Sequence, residues 1–260
     1  MTSQLQFLKQ YGERRTGTNY LRGLVSATFE HLTVLMHVLG DKHSVPCDLD
    51  TSGISDPYEW VSSRTWALPA KTSNRNDARQ IEYIRSIADP LYAAAVSQRL
   101  GFVISIKDPY AWTASICRFS GVRWNKVNDQ WTCAFVRDCC GRFNTNYRAW
   151  AAMLTRFPER ATLVRYETLL EDPDKVLQSI ARISGLPCNG SGIPGPNYRM
   201  NACFWDFAPS RPCEYEFDGG YYTNRTYLDD LTPAMVKAVT RTIDWDLFAP
   251  LGYQPVDRAS

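Results

Sequence analysis

The run Phe102-Val103-Ile104-Ser105-Ile106-Lys107 constrains the fold more than any other stretch of this chain. It lacks the in-and-out alternation of a half-exposed strand. Such a run predicts a strand buried on both faces, and that requires helices on both faces of its sheet. The rest of the sequence supplies them. Leu5–Tyr11 reads as a short strand ended by Gly12, and Thr18–Glu30 as a helix with Leu21, Leu24, Val25 and Phe29 at helical spacing. Leu32–Leu39 reads as a second strand, closed by Gly40-Asp41-Lys42-His43. Residues 44–76 read as a loop or insertion, and Asp77 to Arg99 as a helix.

After the 102–107 strand, Asp108-Pro109 stops the chain and Tyr110–Phe119 reads as a helix, followed by a longer one over Trp131–Phe157. Ala161–Tyr166 is a fourth strand. A helix then starts near Pro173 and ends at Gly185. Pro187–Gly220 is rich in Pro, Gly, Asn and Cys and reads as irregular, and a last helix is expected over Thr232–Trp245. Alternating strands and helices predict an α/β domain over residues 1–260, with a parallel central sheet. Ligands of such sheets bind at the carboxyl ends of the strands, so the residues just after each strand are the candidates for function.

With 44% hydrophobic and 22% charged residues among 260, the chain can bury a sizeable core. Disorder and coiled coil are excluded as its main state. Its formal charge of +2 does not support general nucleic-acid binding but leaves room for a local anion site. The N-terminus has no basic region followed by an apolar run, and no stretch of about 18 apolar residues occurs. The expectation is a soluble, cytoplasmic chain that does not engage membranes. The eight cysteines form no Cys-x-x-Cys pair, so no metal site is expected. Reduced thiols are the expectation, with a bridge among Cys188, Cys203 and Cys213 as the exception to check.

Three strand ends carry unusual chemistry. Gly12-Glu13-Arg14-Arg15-Thr16-Gly17-Thr18-Asn19 follows the first strand and opens a helix. Free N–H groups and the helix dipole there favour an anion, Gly17 lets backbone approach it, and Arg14 and Arg15 add positive charge. The Gly12-x4-Gly17 spacing mimics a P-loop, but Thr18-Asn19 stands where Lys-Ser or Lys-Thr would be. This argues against ATP or GTP hydrolysis and for a single 5′-side phosphate group without an obligate metal. At the third strand end, Lys107 and Ser115 lie eight residues apart: a cation and a hydroxyl able to clamp a phosphate. At the second, His43 stands where a substrate would approach and titrates in the range a general base needs, with Lys42 beside it. His31 and His37, at the start of and within the apolar second strand, read as structural.

Arg15-Thr16-Gly17-Thr18-Asn19-Tyr20 resembles the 5′-phosphosulfate loop of the sulfotransferase family, which typically reads Lys-Ser-Gly-Thr-Thr-Trp. Lys107, Pro109 and Ser115 reproduce the spacing of that family's Arg-x-Pro and following Ser. The resemblance implies a single α/β domain of P-loop NTPase-like, sulfotransferase fold. It also implies transfer of a sulfuryl group from 3′-phosphoadenosine 5′-phosphosulfate (PAPS) to a hydroxyl or amine of a small molecule or saccharide.

On that resemblance Arg15 replaces the family's lysine, and Arg14, Thr16, Gly17, Thr18 and Asn19 hold the 5′-phosphosulfate. Tyr20 packs on adenine, Lys107 and Ser115 bind the 3′-phosphate, and Tyr166 lies by the adenine. Lys for Arg at position 107 loses the bidentate fork. Lys42-His43 resembles a Gly-Trp-Lys-His element of some branches, with Asp41 in place of Trp. His43, Lys42 and Arg15 are the expected catalytic groups, with a carboxylate such as Glu13 the alternative base. A late basic residue over the 3′-phosphate is expected, with Arg199 and Arg225 as candidates. A nucleotide kinase or NTPase, and a non-catalytic nucleotide-binding module, are the competing readings.

Overall fold

The computed structural model describes residues 4–66, 75–120, 129–188, 198–200, 212–214 and 217–256. Its central sheet has four parallel strands in the order β2-β1-β3-β4, with β1 at Phe7–Gly12, β2 at Thr33–Leu35, β3 at Leu100–Ile106 and β4 at Ala161–Arg165. All seven residues of β3 are buried, as its predominantly apolar run requires. All six residues of β1 are buried too, Lys9 and Gln10 included. The α/β expectation is borne out.

Helices cover both faces of the sheet. Leu8 and Val103 pack with Leu21, Leu24 and Val25 of α1 (Thr18–Thr28) and with Val176, Leu177 and Ile180 of α7 (Pro173–Ser184). Phe7, Tyr11, Phe102, Ile104 and Ile106 face the opposite core. That core is built from α3 (Arg75–Val96), α4 (Pro109–Phe119), α5 (Asp129–Arg156) and α9 (Pro233–Thr242). Pro90 lies inside α3, so the helix runs on past it as the sequence suggested.

The chain leaves β1 toward β2 on one side and returns to β3 on the other. The carboxyl ends of β1 and β3 therefore form the topological switch point of the sheet, where α/β proteins open a crevice.

Several expectations need correction. β2 is three residues long, not Leu32–Leu39. Met36, Val38 and Leu39 are buried as their apolarity demands, but Leu39 and Gly40 have φ of 60° and 90°, which no strand allows. His37 therefore lies past the strand rather than within it. The stretch 44–76 is not all loop: α2 (Pro57–Ser63) forms there, with Asp56 accepting a hydrogen bond from Tyr58 N and Pro57 at the first position. Trp60 and Val61 of α2 are buried against the core. A short helix not foreseen, α6 (Tyr166–Glu171), follows β4 directly.

The region expected to be irregular contains a small antiparallel pair, β5 (Tyr198–Met200) with β6 (Pro212–Glu214), and α8 (Gly220–Thr223) begins at its end. The last long helix, α9, ends at Thr242 rather than Trp245, and Trp245–Phe248 forms a separate turn, α10.

Cys188 is a free thiol, while Cys203 and the side chain of Cys213 lie outside the described residues. Among the described residues no helix is long and apolar enough to cross a membrane.

Candidate functional site

The loop after β1 is shaped by two glycines and one strained arginine. Gly17 caps α1 with φ 79°, and Arg15 has φ 70°. A Cβ on Gly17 would come within 2.5 Å of Tyr166 Cδ2. A Cβ on Gly12 would come within 2.8 Å of the Ser105 carbonyl oxygen. Backbone approach thus demands glycine at both positions. Within the loop Thr16 is fully buried, and its Oγ1 donates to the Glu13 carbonyl at 2.7 Å. Trp112 of α4 donates its indole N–H to the Arg14 carbonyl at 2.9 Å. The side chains of Arg14 and Arg15 stay exposed, with Arg15 5.6 Å over the Phe119 ring.

Lys107 follows β3 and is fully buried. Its ammonium is 3.0 Å from Ser115 Oγ and 3.4 Å from the Arg15 carbonyl oxygen. The two motifs 92 positions apart in the sequence are therefore one site, at the switch point between β1 and β3. The Tyr166 and Tyr222 rings lie 4.2 and 3.8 Å from the ammonium, a cation–π enclosure. Burial drives the Lys107 pKa well below its usual range; the charges of Arg15 and Arg118 add to this, and Glu167 opposes it. Tyr166 is itself buried, and burial raises its phenol pKa far above 10.0.

Lys42 and His43 come to the same place from the β2 side. Gly12 N donates to the Lys42 carbonyl at 2.9 Å, and His43 Nδ1 lies 2.6 Å from the Gly12 carbonyl oxygen. A carbonyl only accepts, so Nδ1 carries the proton and Nε2 keeps the lone pair. Burial, with the Lys42 charge nearby, pushes the His43 pKa down to about 4. The ring is neutral near pH 7, the form a base requires. Lys42 Nζ is 2.8 Å from Asn19 Oδ1 at the start of α1 and 3.4 Å from Met36 Sδ. Arg22 Nη1 also lies 3.4 Å from that sulfur.

Glu13, the alternative base, is 1% exposed. Its Oε1 accepts from Asn146 Nδ2 at 2.5 Å and lies 3.8 Å from Arg142 Nε. Burial raises its pKa, against the opposing pull of Arg142 and Asn146. Its contacts make it a strut beneath the loop. Asn146 also donates to the His43 carbonyl at 3.1 Å and so ties the β1 loop to His43. The sequence reading missed Asn146. It lies on the stripe of Phe143, Tyr147 and Trp150 along α5, all buried, and a polar residue on an apolar stripe was the available signal.

Tyr20 is partly buried on α1, and burial raises its pKa to about 12. Thr18 is buried at the first turn of that helix. Arg225 stands at φ 59° with its Nε 3.3 Å from Tyr227 Oη, and the Asp108 carboxylate acts on its charge. The side chain of Arg199 lies outside the described residues.

Residues 99–190 match the model of the sulfotransferase family, a stretch that holds Lys107, Ser115 and Tyr166. Over that stretch, which does not include the Arg15–Tyr20 loop, the match agrees with the family resemblance. One similar solved structure is a sulfotransferase domain from the curacin biosynthetic pathway, at 12% identity and TM-score 0.46, covering 98% of this chain and 99% of that one. Another is the sulfotransferase domain of the Synechococcus PCC 7002 olefin synthase, at 14% identity and TM-score 0.47, covering 96% and 94%. No curated protein matches.

Proposed function

We propose that this sulfotransferase-family chain transfers a sulfuryl group from PAPS to a hydroxyl or amine of a small-molecule or saccharide acceptor. One observation carries the reading: Lys107 Nζ spans Ser115 Oγ at 3.0 Å and the Arg15 carbonyl at 3.4 Å. That contact joins a 3′-phosphate clamp to a 5′-phosphosulfate loop across the β1–β3 crevice.

In the proposed reaction the acceptor oxygen or nitrogen forms a bond to sulfur as the bond from sulfur to the bridging oxygen of the 5′-phosphate breaks. The acceptor proton passes to His43 Nε2, and adenosine 3′,5′-bisphosphate leaves. Loop N–H groups at the α1 terminus, Thr16, Thr18 and Asn19 hold the phosphosulfate. Arg15, Arg14 and Lys42 stabilise the charge that moves onto the leaving phosphate. Arg14 and Arg15 are exposed in the structure, so this role requires them to fold inward over the donor. Most of the catalysis is positioning and charge stabilisation, as in phosphoryl transfer.

Thermal-shift titration with adenosine 3′,5′-bisphosphate, run beside ATP with magnesium, tests the donor. A ligand that binds only the folded form raises the midpoint. A rise with the bisphosphate alone is expected. A rise with ATP and magnesium alone would replace this reading with the kinase or NTPase.

A further inference from the structure

We propose that Arg118 is a binding residue for the donor's 3′-phosphate, supplying the guanidinium fork that Lys107 cannot. The proposal rests on the PAPS reading above and deepens it. Ser115 and Arg118 lie three residues apart on α4 and so share a helix face. A continuous chain of contacts joins Arg118 to the Lys107–Ser115 pair. Arg118 Nη2 is 2.6 Å from Tyr221 Oη, and its guanidinium lies 4.6 Å over that ring. Tyr221 meets Tyr222 edge-on at 4.9 Å, and Tyr222 Oη is 3.4 Å from Ser115 Oγ. The Arg118 charge is felt at Lys107, together with that of Arg15.

Arg118 and Arg15 thus act at Lys107 alongside the carboxylates of Glu167 and Asp108, whose oxygens already accept hydrogen bonds from other groups. Asp108 caps α4 through Tyr110 N and Ala111 N, at 2.8 and 3.0 Å. Glu167 accepts from Asp108 N at 2.9 Å and from Tyr253 Oη at 2.6 Å. Asp230 accepts from Tyr221 Oη and lies 3.9 Å from Arg118 Nη1 at a half-exposed position, and Arg118 Nε lies 3.4 Å from the Ala114 carbonyl oxygen, long contacts that a phosphate can replace. A phosphate here would meet three different donors. Lys107 gives it a point charge, Ser115 a hydroxyl, and Arg118 two parallel N–H donors. Arg225, the late basic residue suggested by the sequence, already faces Asp108 and the Tyr227 hydroxyl.

The test compares two ligands that differ only in the 3′-phosphate. Adenosine 3′,5′-bisphosphate and adenosine 5′-monophosphate are titrated by calorimetry into the wild type, Arg118→Gln, Arg118→Lys and Arg225→Gln. Circular dichroism and the urea midpoint of each variant establish that it is folded. Arg118→Gln should weaken the bisphosphate roughly 10- to 100-fold, the loss expected for a charge-assisted pair, and leave the monophosphate within about twofold. Arg118→Lys should fall between, and Arg225→Gln should leave the ratio of the two affinities unchanged. An unchanged ratio in Arg118→Gln, or an equal loss for both ligands, overturns the assignment. A change in the ratio for Arg225→Gln alone moves the role to that residue. Failure of the wild type to bind the bisphosphate at all sinks the donor reading itself, and the Arg118 assignment with it.

Discussion

His43 Nδ1 lies 2.6 Å from the carbonyl oxygen of Gly12, so the residue that ends β1 sets the tautomer of the histidine that follows β2. The bond leaves Nε2 unprotonated, and burial with the Lys42 charge holds the ring pKa near 4. The acid limb of the pH–rate profile should therefore fall near pH 4, well below the ordinary histidine value of about 6.5. His43→Gln should lower kcat by roughly 10²- to 10⁴-fold and abolish that limb. An acid limb near pH 6.5 in the wild type would contradict the geometry.

The same shift has a stability consequence. A histidine whose folded pKa is depressed takes up its proton more readily when unfolded. Its contribution is fully present above about pH 6.5 and is lost as pH falls from there toward about 4. Urea unfolding at pH 7.5 and pH 4.5 should show a wild-type loss that His43→Gln lacks. The excess is on the order of 2–3 kcal/mol at most, because the ring is only partly shielded from water.

Gly17→Ala places a Cβ 2.5 Å from a Tyr166 ring carbon at a φ of 79°. Both the clash and the left-handed backbone oppose it, at a cost of roughly 1–3 kcal/mol. The urea midpoint should drop, and bisphosphate affinity should fall further than the same substitution at exposed Gly53. No heavy atom lies within 4 Å of a Cβ built there, and its φ of 76° carries a similar backbone penalty.

Lys107→Met separates stability from binding. It removes a fully buried ammonium while nearly keeping its volume, so folding stability should stay level or rise. Bisphosphate affinity should drop roughly 100-fold, because the cation of the proposed phosphate clamp is gone. Parallel denaturation and calorimetry read both effects. A large loss of stability with binding retained would remove Lys107 from the ligand site.

Lys9 is buried in β1, with its ammonium 2.6 Å from both the Met36 and Gly40 carbonyl oxygens. These carbonyls bracket the turn that delivers Lys42 and His43. Lys9→Met leaves both carbonyls short of a donor, at roughly 1–3 kcal/mol each. Amide exchange over residues 36–44 should accelerate in this variant while that of β3 stays slow. Equal acceleration in both would mean global unfolding rather than a loosened turn.

Much of this protein is legible along one dimension. The predominantly apolar run of β3, without alternation, determines a sheet covered on both faces. Gly12 to Asn19 between a strand and a helix determines a tight basic loop at a helix start, because its signals are local: turn glycines, a helix start and adjacent arginines. The short α2 was also written locally, as Asp56-Pro57, but seven residues hold too few turns for a periodic signal.

The tertiary structure decided the rest. The Leu32–Leu39 run determined burial but not strand length, since carbonyls drawn to Lys9 and the positive φ of Leu39 and Gly40 turn the chain away after Leu35. The tautomer of His43, the Asn146 bridge from Glu13 to His43, and the tyrosines that enclose Lys107 are contacts between residues 31 to 133 positions apart. No local propensity encodes such a contact. The parallel order of the strands creates it, by bringing the ends of β1, β2 and β3 to one side of the sheet.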